Sequence, residues 1–224
     1  MNKKRTRTGT EANPAVTFFI LLFSSVIALT IGSLALLEMN PWVQPQKFWL
    51  ISRAAAISAY VVLTLIVLLG IIMSHPRNKD SWKVSPRLLP WHQALVAILF
   101  SLVVVHLTFS LVDTKSGVTL ASLLNPMSSK YHPWATLFGV IGFYLLLLVG
   151  FTSGLRKWVK IWLSVHRLSW LVWVFLSLHG LYDGTDTLTF RLLYETSAAF
   201  IVLVFFWRHW TSNEKRLPVL RKNL

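Results

Sequence analysis

Four of the seven histidines, His92, His106, His166 and His179, fall in stretches otherwise almost free of polar side chains. They form two pairs, fourteen and thirteen residues apart. An imidazole can ligate a metal through either ring nitrogen, or donate and accept hydrogen bonds. Placing one in hydrocarbon is expensive, so each needs a compensating partner. Zinc would ask for a third and fourth ligand, and none stands at short spacing from either pair. The 224-residue chain contains no cysteine. That removes disulfides, thiolate zinc sites, cysteine-ligated iron–sulfur clusters and covalent haem attachment through C-x-x-C-H. What remains is ligation of a metal cofactor by paired imidazoles, or hydrogen bonding between helices.

The elements that must carry these side chains are membrane spans. With 54% hydrophobic and 13% charged residues, 11 Trp and a mean hydropathy of +0.58, the composition excludes a soluble single domain. Six apolar stretches are long enough to cross about 30 Å of hydrocarbon at about 1.5 Å per residue. They lie at about 15–38, 48–73, 90–113, 134–154, 159–182 and 187–207. The expected fold is therefore an all-α, six-span transmembrane helical bundle. Residues 1–14 and 211–224 form basic tails flanking a membrane domain at 15–210. The first stretch is too long, and lacks the small-residue cleavage site, for a removable signal peptide.

The net charge of +14 suggests nucleic acid only if the basic residues share a soluble surface. They do not. Sixteen of the 22 fall in the amino tail, the segment between spans 2 and 3, the segment between spans 4 and 5, and the carboxyl tail. Cytoplasmic loops retain Lys and Arg, so both termini are expected in the cytoplasm and the chain in the cell membrane. Membrane lipid is the expected surround, and no nucleic-acid partner is expected. Trp42, Trp49, Trp82, Trp91, Trp134, Trp158, Trp207 and Trp210 fall near span ends, where headgroup-level anchors belong. Pro90 suits the first turn of span 3. A semi-apolar piece at 118–127 in the outer loop is expected to lie on the membrane or cap the bundle.

Depth pairs the histidines across spans. Fourteen residues of helix cover about 21 Å and thirteen about 20 Å, so each pair has one member near each membrane face. Spans 3 and 5 run in the same direction. His92 then shares the inner level with His166, and His106 the outer level with His179. Facing imidazoles at equal depth are the axial arrangement for a haem, here twice. Angular phase agrees only in part: at about 100° per residue, His106 returns to within roughly 40° of His92, whereas His179 lies about 140° from His166 on a straight helix. Two haems are expected, with one as the alternative that this phase mismatch leaves open. A transporter or channel using intramembrane histidines without haem is the competing class. It calls for a membrane-buried carboxylate or a broken helix near the midplane, for which Glu195 is a weak candidate.

These histidine spacings, on the third and fifth of six spans, resemble the ferric-reductase-like transmembrane domain of ferric reductases and NADPH oxidases. Trp162-Leu-Ser-Val-His166-Arg-Leu-Ser-Trp170 and His179-Gly-Leu-Tyr-Asp-Gly-Thr-Asp186 are similar to the fifth span and following turn of bacterial members. Arg53 and Thr152-Ser-Gly-Leu-Arg156 add to the likeness, which covers about 15–210. The resemblance implies b-type haem held by His92, His106, His166 and His179, carrying single electrons from a cytoplasmic donor to an outer acceptor. Fourteen residues follow Trp210 and no G-x-G-x-x-G fingerprint occurs. The chain is thus expected to act as a free-standing haem subunit, similar to the membrane subunit of the periplasmic methionine-sulfoxide reductase system. Flavin would enter through a partner. The donor would be a cytoplasmic flavin reductase or a quinol, and the acceptor a ferric chelate or a periplasmic or extracellular oxidoreductase.

Arg53 and Arg167 are the candidates for pairing with haem propionates through charge-assisted hydrogen bonds, with snorkelling as the alternative. Arg191 and Glu195, four apart, are expected to pair on one helix face. Phe100 and Trp173 lie near mid-depth between the two levels, as packing or as a bridge. Gly139, Gly142, Gly150 and Gly154 are expected to permit close approach of a helix or macrocycle. Asp183 and Asp186 belong to a solvated outer turn able to attract a cationic acceptor.

Overall fold

The computed structural model describes residues 14–40, 42–74, 79–129, 132–184 and 187–214. The basic residues of the amino tail, His75, Arg77, Lys130, Asp186 and Lys215 onward lie outside them. The described residues form helices and connecting turns, with no strand among them. The helices are α1 (Pro14–Glu38), α2 (Lys47–Met73), α3 (Lys79–Val112), α4 (Leu120–Leu124), α5 (Pro133–Gly154), α6 (Trp162–His166), α7 (Ser169–Asp183) and α8 (Thr187–Glu214). Among the described residues, α1, α2, α3, α5 and α8 are long and apolar enough to cross a membrane.

Three of the six predicted stretches reappear with nearly the same boundaries, and the sixth, α8, starts as expected but continues to Glu214. Two differ in instructive ways. Helix α3 begins at Lys79, well before the predicted start, so Pro86 and Pro90 sit inside a helix rather than at its first turn. Each proline removes one backbone donor, and both lie on the N-terminal side of His92. The predicted fifth span is not one helix. It is α6 and α7 separated by Arg167 and Leu168, whose φ/ψ of −62/−19° and −72/−4° belong to a tightened 3-10 turn. Leu168 N–H donates to the Val165 carbonyl at 2.9 Å, and Leu171 N–H to the Leu168 carbonyl at 2.9 Å. At 15 residues, α7 spans about 22 Å, short of the hydrocarbon thickness by itself.

The core runs along one stripe of α2: Ile51, Ala55, Ala59, Leu63 and Ile66 are buried at intervals of three or four residues, the spacing of a single helix face. Leu99, Leu102, Val105 and Phe109 of α3 pack against it with Leu146 and Val149 of α5 and Val172 of α7. Helix α2 is thereby the central post. Helix α3 packs on α2 and α1, α7 packs on α5 and also touches α2 and α8, and α6 packs on α5. The outward faces stay apolar. Phe19, Ile20, Phe23, Ile27 and Ile31 of α1 are exposed, as are Leu203, Phe205, Phe206 and Trp207 of α8, an arrangement compatible with lipid contact and with nothing aqueous.

The connection from α3 to α5 turns sharply through Gly117, whose φ of 68° a side-chain-bearing residue adopts only at a cost. Helix α4 follows, capped at both hydrogen-bonding positions by the Thr119–Ser122 pair. The Tyr144 hydroxyl of α5 donates to the Leu123 carbonyl at 3.0 Å, so the semi-apolar segment folds onto α5 as a cap.

Candidate haem-ligand site

The central stripe of α2 also fixes the level of each histidine. His106 of α3 meets the N-terminal part of α2. Its Nδ1 lies 3.0 Å from the Ser52 carbonyl and 2.9 Å from the Ser52 hydroxyl. That hydroxyl is itself 2.7 Å from the Ser110 hydroxyl, one helical turn further along α3. His92 lies near the other end of α2, with Cε1 3.9 Å from where a Cβ on Gly70 would stand. Helix α5 provides a second ruler. His179 of α7 sets its Nδ1 3.0 Å from the Ala135 carbonyl, near the start of α5, and His166 of α6 sets its Nδ1 3.0 Å from the Ser153 hydroxyl, near its end. Ser52 to Gly70 and Ala135 to Ser153 each span about 27 Å of helix. The histidines therefore form two tiers near opposite ends of the bundle.

Within each tier the structure brings together partners from different helices. The His92 and His166 rings have centroids 6.2 Å apart and planes inclined at 67°. Two imidazoles sharing a metal, each nitrogen about 2 Å from it and about 1.2 Å from its own ring centre, have centroids roughly 6.4 Å apart. The inner pair is spaced for that geometry. In the outer tier, His106 and His179 are close enough to interact electrostatically. The phase mismatch between His166 and His179 disappears because the two are not on one helix. The turn at Arg167 and Leu168 separates them, so each meets its own partner on α3.

The hydrogen-bonding pattern limits what the rings can offer. A backbone carbonyl only accepts, so the bonds from His106 to Ser52 and from His179 to Ala135 place the proton on Nδ1. Nε2 is then the free lone pair, the tautomer used by a metal-ligating histidine whose other nitrogen is held by the surrounding protein. Ser153 plays the corresponding part for His166; its hydroxyl also lies 2.6 Å from the Val149 carbonyl, to which it donates, leaving its lone pairs for the His166 Nδ1–H. His92 Nδ1 is buried and faces the Ile66 backbone without a hydrogen bond of good geometry. His179 is pressed against α5: a Cβ at Gly139 would stand 2.8 Å from its Nδ1. Gly142 and Gly150 likewise admit Leu176 and Phe100, whereas Gly154 meets no side chain within 4 Å.

No protein-family model, no curated protein and no solved structure matches the chain. Its function is argued from the site alone.

The remaining candidates distribute unevenly. Arg53 follows Ser52 on α2, half-buried at the outer tier, with its guanidinium 5.9 Å from the Trp49 ring centroid. Arg167 is exposed on the turn beside His166, at the inner tier. Arg191 donates to Glu195 at 2.6 Å on an exposed face of α8, forming the expected ion pair. Glu195, the carboxylate that transport would need inside the bundle, therefore points elsewhere. Among the described residues no three His, Cys, Asp or Glu side chains gather to hold a lone metal ion. Trp173 donates its indole N–H to Thr64 at 3.0 Å and stacks on Tyr60, which is 2.5 Å from Ser197. This mid-depth cluster joins α2, α7 and α8. Phe100 instead packs edge-on against Phe18 of α1 and over Gly150 of α5.

Sequence reasoning missed Ser52, Ala135, Ser153 and Gly139 as supports of the ligands, although Gly139 stood among the close-approach glycines. Two of these contacts use backbone carbonyls, which leave no trace in side-chain pattern. The serines carried a weak signal, since a hydroxyl on an apolar face must bond to something.

Proposed function

We propose that this chain is a membrane b-type cytochrome of the ferric-reductase-like kind, passing single electrons across the membrane through two bis-histidine haem sites. The supporting observation is the two-tier arrangement, in which each of three imidazoles is tied through Nδ1 and so keeps the Nε2 lone pair, with a histidine of another helix at the same level. His92 and His166 would hold the inner haem and His106 and His179 the outer one. A haem bound there supplies one-electron chemistry at its iron. The chain's own groups supply the rest. Ser52, Ala135 and Ser153 orient the rings, and the apolar stripe of α2, α3, α5 and α7 keeps water from the sites. Arg53 and Arg167 sit at the outer and inner tiers as the cations for anionic haem substituents. Trp173, bonded to Thr64 and stacked on Tyr60, occupies the depth between the tiers and is a better-placed bridge than Phe100.

This function implies six crossings, with α6 and α7 together forming a broken fifth, and both termini in the cytoplasm. Arg156, Lys157 and Lys160, exposed between α5 and α6, then mark the inner face. The electron donor is a cytoplasmic flavin reductase or a quinol, and the acceptor an outer-side ferric chelate or oxidoreductase. Haem counting in single variants tests the proposal. Purified His92→Ala or His166→Ala should lose the inner haem, and His106→Ala or His179→Ala the outer, each retaining about half of the wild-type haem by pyridine haemochrome assay. Variants that all keep the full complement would refute the ligand assignment.

A further inference from the structure

Nδ1 partners differ between the tiers, and Asp183 makes that difference largest. Both outer imidazoles bond to backbone carbonyls, whereas His166 has a serine hydroxyl and His92 faces the Ile66 backbone without a hydrogen bond of good geometry. Asp183 adds to the outer tier alone. Four residues after His179, at the C-terminal end of α7, its Oδ2 lies 3.5 Å from His179 Nδ1. Its Oδ1 lies 3.8 Å from Nδ1 of His132. His132 itself has a left-handed backbone, with φ 39° and ψ 66°, where α5 begins. The carboxylate is mostly sheltered, with its side chain 20% exposed, so water screens it poorly.

Building on the haem-site proposal, we infer that Asp183 is a positioning residue that acts through His179 to make the outer haem the lower-potential of the two. The Nδ1–H itself is taken by the Ala135 carbonyl, so Asp183 acts on the ring through its charge. A fixed negative charge nearby favours the more positively charged, oxidised state. Each one-electron reduction at the outer site is therefore opposed by an anion without a counterpart at the inner tier among the described residues, an effect that Arg53 at the outer tier partly offsets. Asp183 touches no reacting atom; it sets the charge beside the ring.

The test is a spectroelectrochemical titration of the haem-loaded chain. Asp183→Asn should raise the lower potential by about tenfold in the oxidised-to-reduced ratio, about 59 mV for one electron, and leave the higher potential unmoved. Asp183→Glu should restore most of the wild-type value. In the His92→Ala background, where only the outer haem remains, D183N should shift the single wave; in the His106→Ala background it should not. Two retained haems with unmoved potentials, or a shift confined to the higher wave, would overturn the inference. If D183N loses the outer haem, Asp183→Ser carries the same titration. If both neutral variants lose it, its recovery in D183E supports the inference and its absence there overturns it. A wild-type chain that binds no haem is a separate outcome, defeating the cytochrome proposal itself.

Discussion

A histidine whose Nδ1 is already committed has one nitrogen left to offer, and for His106, His166 and His179 that constraint supports the proposed ligand role. It also makes the supporting residues testable. Gly139→Ala would place a methyl 2.8 Å from His179 Nδ1, against a ring already bonded to Ala135. Overpacking of this kind costs about 1–3 kcal/mol, so the ring must leave its carbonyl and the outer haem should be lost or weakly held. Gly32→Ala on α1 meets nothing within 4 Å and should keep both haems. Haem content of the two purified variants, side by side, checks this; equal content would mean that the His179 position is not decisive. Ser153→Ala removes the hydroxyl that holds His166 Nδ1 and should loosen the inner haem selectively, read as faster haem loss to a scavenger globin from that site alone.

At the scale of elements, hydropathy located the long helices but not the break at Arg167 and Leu168. Spans 1, 2, 4 and 6 were legible because continuous apolar runs of that length have few other outcomes. The break carries no proline or glycine. It accompanies the placement of His166 on α5 through Ser153 and of His179 on Ala135, contacts that a straight helix would set about 140° apart in phase. The start of α3 differs as well: Pro90 suits a first turn, yet the helix already runs from Lys79. The pairing of the histidines was legible from depth alone, whereas their Nδ1 partners were not, because two are main-chain carbonyls. The outer cap gives an element-scale prediction. Tyr144→Phe deletes the bond to Leu123 and should cost about 1 kcal/mol locally. Faster amide exchange confined to residues 118–127, with α5 unchanged, is the expected result.

For the whole molecule, the +14 charge fits the proposed orientation, in which most of the basic residues, in the tails and two connecting segments, face one side. Six crossings place the connection between α5 and α6 on the same side as the end of α8; five crossings place them on opposite sides. Because the natural chain has no cysteine, single-cysteine labelling needs no background removal. In sealed cells an impermeant maleimide should label Met127→Cys, and should label Trp158→Cys and Asn213→Cys only after permeabilisation. Labelling of Trp158→Cys and Asn213→Cys from opposite sides would show that α6 and α7 do not complete a crossing. The same two-tier architecture requires two cofactors at separate levels, and that is open to one direct measurement. The chain, expressed with ample haem and purified, is reduced with dithionite, its difference spectrum recorded and its haem counted per polypeptide. Sharp cytochrome b bands with two haems per chain are expected; a spectrum without them would contradict the haem-ligand role of all four histidines.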